Sequence, residues 1–496
     1  MINTYSKLWA LALLGAFTSG ASTPTYTTVA DTSMTVPGKT NKFSNFGNVA
    51  YEGTKVIFEH ITYDPYQSTL YFWSGSSSSL LVDKATSVPS GGGGVFTNFS
   101  AYSMMFQAGK PTFVGMGAGR TGVYQHNGTS LVRVFDSSTI QPGPGRQFVT
   151  FGAPEAEGTK LYFLAVISQN QRGIYSFDNG VLTELLAPGS KFPGSTNDIS
   201  MSAQLSVEHG AIGFWGVDGT NNVNEGIFIL KNGTVATIAT RNTTVPGTNR
   251  FFTRFSSPPL VAGGKVYFLG FYDTNTHALF SANLDGTGLT TIYDPKNSYA
   301  GFTNNFLFPA PLAVDGGKVI FSGYSVGVGQ GVLAITGNTL TLLAGPGSLI
   351  NGKTVSYAQA QTKGYVSGKL AFSAGFKDNT AGVFILNGSG GGTVTDTVKP
   401  LLAITAPANG SRLLGSQPTL QVSGTASDNV GVAGVVLAAN GSAVSLVSST
   451  NNYRTWSAQM TPAAGTNTVT AYATDAAGNY SRTNTVVFFY SVNGFC

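Results

Sequence analysis

An apolar run that follows a Gly-containing turn and ends on phenylalanine occurs seven times in this chain. The copies are KVIF at Phe58, PTF at Phe113, KLYF at Phe163, AIGF at Phe214, KVYF at Phe268, KVIF at Phe321 and KLAF at Phe372. Their spacings are 55, 50, 51, 54, 53 and 51 residues. A period of this length is the mark of a repeat architecture, in which each unit is one supersecondary element that cannot bury its apolar faces alone. The fifth unit reads as four strands. SPPLVA (Ser257 to Ala262) leads through Gly263-Gly264 into KVYFLGF, a polar loop leads to ALFSANL, and Asp285-Gly286 turns the chain back along LTTIYD. Glycine supplies the positive φ that such tight hairpins require. The first turn returns as EGT at 52–54 and 157–159, EHG at 208–210 and DGG at 315–317, and the later one returns at Gly128, Gly180, Gly233 and Gly337.

Four antiparallel strands repeated radially make a β-propeller. The expected fold is therefore all-β, a seven-bladed propeller over residues 25–395. The seventh unit has GVFILN (Gly382 to Asn387) as its third strand and then a loose GSGGG. TYTTVADTSMTVPG (Thr25 to Gly38) matches the last-strand text of the fourth unit, TVATIATRNTTVPG. Residues 25–36 are thus expected to supply the outer strand of the last blade, which covers an edge that would otherwise invite aggregation.

Composition fits this reading. Hydrophobic residues make up 42% of the 496-residue chain and charged residues only 10%, well below the roughly 25% usual for soluble domains. With 64 Gly, 33 Phe and 21 Tyr, short strands and tight turns are favoured over helices. MINTYSK, the apolar run from Leu8 to Phe17, and the small residues Ser19 and Ala21 have the order of a secretory signal over 1–21. The run is too short to span a bilayer, so no transmembrane span is expected in the mature chain, which is placed outside the cell or at its surface. The one cysteine, Cys496, excludes an internal disulfide. The net charge of +5 does not argue for a nucleic-acid partner.

The blade text KVYFLGFYDTNTHALFSANLDGTGLTT resembles TolB-type and YWTD-type propeller repeats, although the YWTD core itself is absent. SFDNGVLT (Ser176 to Thr183) resembles a sialidase Asp box without its Trp, which assigns Asp178 to a turn. After a linker at 396–400 the text changes, and period-two alternation in TLQVSGTA, VAGVVLAA, NTVTAYAT and TNTVVFFY reads as an immunoglobulin-like sandwich over 401–491. ITAPANG, GTASDNVGV, GTNTV and ATDAAGN are similar to bacterial Ig-like repeats of secreted surface and polysaccharide-degrading proteins, which implies a spacer or adhesion role. At the pole of the sandwich nearest the linker, Asp396, Asp428 and Asp475 are candidate Ca²⁺ ligands. The alternative is ordinary turn chemistry, in which Asp side chains bond their own loops. No other cofactor is indicated.

The loops joining successive units share a Pro-Gly, polar, aromatic-x-x-aromatic pattern: VPGKTNKFSNF, QPGPGRQFVTF, VPGTNRFFTRF and AGFTNNFLF. Their aromatics are expected between blades, and their polar tips on one rim. Lys39, Lys42, Arg146, Lys191, Arg250, Arg254 and Lys353 gather on those tips against the single acid Asp198. A basic face of this kind would suit an anionic polysaccharide, and scattered solvated charge is the competing reading. The carboxylates Glu59, Asp64, Asp218, Glu225, Asp273 and Asp378, with His60 and His277, are assigned to connections between second and third strands on the same face. A glycosidase needs two facing carboxyls, and separate blades do not pair these, so no catalytic residue is nominated. The functional expectation is an exported, non-catalytic binding or adhesion protein that grips a polysaccharide or a surface protein. A hydrolase or lyase with its site in the propeller funnel, and a structural envelope component, are the alternatives.

Overall fold

The computed structural model describes residues 24–492 except 90–92, 141, 143–144, 146, 169–170, 194–198, 202–203, 219–224, 274–275, 300–305, 326–328, 363, 388–398, 416–417, 429–431, 445–446, 450–452 and 476–479. The described chain is all β, with no helix, and divides into two compact units, Met1–Gly391 and Gly392–Cys496.

The first unit is a β-propeller, whose described strands form seven sheets, numbered blades 1 to 7 in chain order of their inner strands. Blade 1 runs Asn45–Glu52, Lys55–Tyr63, Tyr66–Trp73 and Ser78–Val82 from inside to outside, each strand antiparallel to the next. Blade 2 begins at Phe96–Gln107, blade 5 at Arg254–Ala262 and blade 6 at Leu307–Asp315. The inner strands of blades 3 and 4 are each broken in two, at Thr150–Phe151 with Glu155–Glu157 and at Ile199–Met201 with Ser206–Glu208. In blade 7 the outer strand is Thr25–Asp31, paired with Ala381–Asn387 from Thr25 opposite Asn387 to Asp31 opposite Gly382. Asn387 Nδ2 donates to Thr27 Oγ1 at 2.9 Å, and Val29 and Ala30 are buried against blades 7 and 1. The two ends of the unit therefore share one sheet.

The repeated phenylalanine is the centre of each blade. It is fully buried in all seven copies and sits in register with an aromatic on the third strand in six: Phe58–Tyr71, Phe113–Tyr124, Phe163–Tyr175, Phe214–Phe228, Phe268–Phe280 and Phe372–Phe384. Ring centroids in these pairs lie 5.6–6.0 Å apart, within the range in which aromatic pairs add to simple area burial. Blade 6 has Leu333 opposite Phe321. The loop aromatics complete these clusters: Phe43 and Phe46 pack on Phe58, Phe148 and Phe151 on Phe163, and Phe252 and Phe255 on Phe268.

The second unit is an immunoglobulin-like sandwich. One sheet orders Leu401–Ala406, Leu420–Ser427, Trp456–Met460 and Val447–Ser448. The other orders Arg412–Gly415, Asn484–Val492, Gly465–Asp475, Val432–Ala439 and Ser442–Val444, its first pair parallel. Trp456, Val422, Leu437, Val469 and Phe488 form the core between them.

Candidate functional site

The inner strands of all seven blades line a central cavity of about 520 Å³. Five side-chain amides reach it, from Asn48, Gln204, Gln330, Gln359 and Gln361, together with Ser103, Ser206, Ser322 and Tyr102. Its charged lining residues among those described are Glu52 and Glu155, with no Lys, Arg or His. Asn48 is held at this wall from behind. Its main-chain N and Nδ2 donate to Glu59 Oε2 at 3.2 and 3.1 Å, and Ser68 Oγ donates to Glu59 Oε1 at 2.6 Å. Gln361 Nε2 then donates to Asn48 Oδ1 at 2.5 Å, a bond from blade 7 to blade 1. Gly47 makes room for the carboxylate, because a Cβ there would stand 2.2 Å from Glu59 Oε2.

Glu59 and His60 were expected in a connection and lie instead within the strand Lys55–Tyr63, both buried. The strand continues because Glu59 to Tyr63 stay in unbroken register with Leu70 to Tyr66. His60 Nε2 accepts the Ser44 main-chain amide at 3.1 Å, so the ring is a neutral acceptor. Burial, with Lys39 nearby, lowers its pKa to about 4. Glu225 is likewise a strut. It is buried, and its carboxylate takes Trp215 Nε1 at 3.0 Å, Arg241 Nε and Nη2 at 3.1 and 2.6 Å, and the Phe255 amide at 2.8 Å.

The expected cations are exposed where they are described, and several meet carboxylates. Arg250 Nη1 lies 3.4 Å from Asp273 Oδ2, and Lys296, which the sequence reading passed over, pairs with the same oxygen. Lys353 Nζ stands 2.9 Å from Asp378 Oδ2, and Arg254 lies over the Phe271 ring at 4.2 Å. Beside them His277 is wedged between Phe271 and Phe308, with ring centroids 4.3 and 4.0 Å away. Its pKa is lowered by burial first and then by Arg254. Lys39, Lys42 and Lys191 are exposed, and Arg146 lies outside the described residues. At blades 5 and 7 this face therefore carries ion pairs, and Lys39 and Lys42 are exposed on the loop leading into blade 1. Of the candidate calcium ligands, Asp396 and the Asp475 side chain lie outside the described residues, and Asp428 follows the strand Leu420–Ser427. No group of three His, Cys, Asp or Glu side chains suited to a metal ion occurs among the described residues.

Four tyrosines that the sequence reading did not single out are exposed on the same unit. Tyr63 and Tyr66 are 67% and 61% exposed and stand opposite each other at the hairpin of blade 1, with ring centroids 6.2 Å apart. Tyr102 is 67% exposed and also lines the cavity, which places it at the opening. Tyr357 is 40% exposed and shares a strand face with cavity-lining Gln359, two residues on, in the inner strand of blade 7. The phenol of Tyr66 is raised in pKa by partial burial, then by Glu59, Tyr63 and Tyr102, and that of Tyr357 by burial and then Tyr63. Tyr66 thus lies within electrostatic reach of Tyr63 and Tyr102, and Tyr357 within reach of Tyr63.

A turn device also emerges. Glu157 caps the first hairpin of the next blade, its carboxylate accepting the His209 and Gly210 amides. Glu208 does the same for Gly263 and Gly264 at 2.9 and 3.0 Å.

Comparison with known proteins matches two parts of the chain to families. Residues 400–471 match a bacterial Ig domain family (Big_7). Residues 158–306, which span blades 3 to 5, match a family of unknown function (DUF7453). No curated protein is similar in sequence. Among solved structures, the chain is similar to the β-propeller domain of the Trilobed protease from Pyrococcus furiosus, with 12% identity and a TM-score of 0.35 over 61% of this chain and 98% of that one. It is also similar to a puromycin-hydrolysing peptidase of Mycobacterium tuberculosis, with 12% identity and a TM-score of 0.42 over 77% of this chain and 59% of that one. The Pyrococcus horikoshii acylaminoacyl peptidase gives 9% identity and a TM-score of 0.41 over 75% and 60%. The chain thus spans about three-fifths of the length of these two peptidases.

Proposed function

We propose that this chain is an exported, non-catalytic binding protein whose propeller holds a polymer at the mouth of its central cavity, with the Ig-like unit as spacer or adhesion module. The observation that carries the reading is the contrast between two kinds of side chain on one propeller. The buried carboxylates Glu59 and Glu225 are committed to Asn48, Ser68, Trp215, Arg241 and the Phe255 amide. Exposed tyrosines meanwhile stand on the same unit, one of them at an opening whose wall carries five side-chain amides. Exposed aromatics grouped with convergent polar groups are the usual make-up of a recognition surface. A signal-like segment at 1–21 and a bacterial Ig domain support placement outside the cell or at its surface.

A second reading has one observation in its favour. Glu52 and Glu155 both line the cavity, from blades 1 and 3, and a pair of carboxylates across a cleft is what a glycoside hydrolase requires. One experiment separates the two. The purified protein is incubated with a panel of polysaccharides and scored for retention and for new reducing or unsaturated ends. Retention without new ends supports binding. New ends that disappear in Glu52→Gln or Glu155→Gln support hydrolysis and overturn the proposal.

A further inference from the structure

We infer that the mouth formed by Tyr63, Tyr66, Tyr102 and Tyr357 is a subsite for uncharged sugar rings, so that the polymer bound is a neutral polysaccharide. This rests on the reading that the propeller face binds a polymer, and names its chemistry.

Three features carry it. A pyranose ring presents an apolar C–H face and a rim of hydroxyls, and tyrosine is suited to both, with a flat apolar ring and a polar tip. Tyr63 and Tyr66 stand side by side at the hairpin tip. Tyr102 projects from a bulged inner strand, where register with the neighbouring strand slips between Ser100 and Met105. The Tyr357 ring approaches Gly375 closely, where a Cβ would come within 2.2 Å of Cε1, so the glycine is what lets the ring lie there.

Below the rings, the cavity wall offers amides. A side-chain amide both donates and accepts, the pattern a sugar hydroxyl also has. Asn48 is fixed by Glu59 and in turn receives Gln361, so this part of the wall is pre-organised before any ligand arrives.

Charge at the cavity wall disfavours a polyanion. The described lining holds two glutamates and no cation. Two of the cations expected to attract an anionic polymer, Arg250 and Lys353, already face Asp273 and Asp378. A protein partner would favour a flat or convex surface, whereas this one is an opening into a concave wall that carries five side-chain amides.

The test is retention of the full chain on immobilised cellulose, chitin and β-1,3-glucan, on alginate and heparin, and on gelatin, with and without about 1 M NaCl, at which the Debye length falls to about 3 Å. The expected result is retention on at least one uncharged polymer that salt does not weaken. Tyr66→Ala and Tyr102→Ala should each weaken it about tenfold, as for the loss of a stacking ring. Tyr66→Phe keeps the ring and should retain binding, while Arg250→Ala and Tyr480→Ala should leave it unchanged. Retention confined to alginate or heparin, lost in salt and in Arg250→Ala but indifferent to Tyr66→Ala, overturns this inference and leaves the proposed function standing. Tyrosine-dependent retention on gelatin alone overturns it in favour of a protein partner. Retention on nothing removes both.

Discussion

Glu225, at the start of the third strand of blade 4, accepts the main-chain amide of Phe255 in the first strand of blade 5 at 2.8 Å. Its other oxygen is bound by the Arg241 guanidinium at 2.6 Å. One carboxylate therefore spans two blades, and it is one of those that the sequence assigns to connections between second and third strands. Removing it leaves the Trp215 and Phe255 N–H groups and a guanidinium without their acceptor. Glu225→Ala should cost about 3 kcal/mol, read as a lowered midpoint in urea. Polysaccharide retention of the protein that remains folded should be unaffected.

His60 gives a pH dependence whose sign follows from its surroundings. The folded protein holds the ring neutral, with a pKa of about 4, whereas an unfolded chain protonates it near pH 6.5. Above about pH 6.5 both states are neutral and the group adds no dependence. As pH falls from there toward about 4 the unfolded state takes up the proton first, so stability declines across that window and levels off below it. Melting temperature measured from pH 7 to pH 4 should fall for the native chain, and His60→Gln should remove that part of the slope.

The strand Thr25–Asp31 closes the propeller. Val29 and Ala30 are buried against two blades, so Val29→Asp places an unpaired charge in the seam, and a loss of about 3 kcal/mol or more is expected. Limited proteolysis should then cut first near the two ends of the unit. Equal resistance in mutant and parent would contradict a closing role for this strand.

Gly375 tests the mouth without touching a tyrosine. Gly375→Ala forces the Tyr357 ring away, so affinity for the polymer should drop several-fold while the thermal midpoint moves by only a few degrees. Unchanged affinity would remove Tyr357 from the site.

How much of this was legible in the sequence depends on the range over which each residue acts. Phe58 and its six counterparts show themselves because the period carries them. Their partners Tyr71, Tyr124 and Tyr175 do not, since they follow the phenylalanine by 13, 11 and 12 positions, an offset that changes with strand length and blurs the register. Glu157 and Glu208 read as turn residues, yet the amides they cap belong to the next blade, 52 to 56 positions away, and no local pattern signals that. Tyr102 escaped because a bulge, invisible to period-two alternation, turns it toward the opening. Asp273 and Asp378 were placed on the right face. What alternation and spacing could not show is that each sits against a cation.

Affinity electrophoresis tests the central claim most directly, with the full chain run through gels cast with a soluble uncharged polysaccharide at several concentrations. The account expects migration retarded in proportion to polymer concentration, restored to normal in Tyr66→Ala, with the polymer's chain length unchanged afterwards. Migration indifferent to every uncharged polymer, or a polymer shortened by contact with the protein, would contradict it.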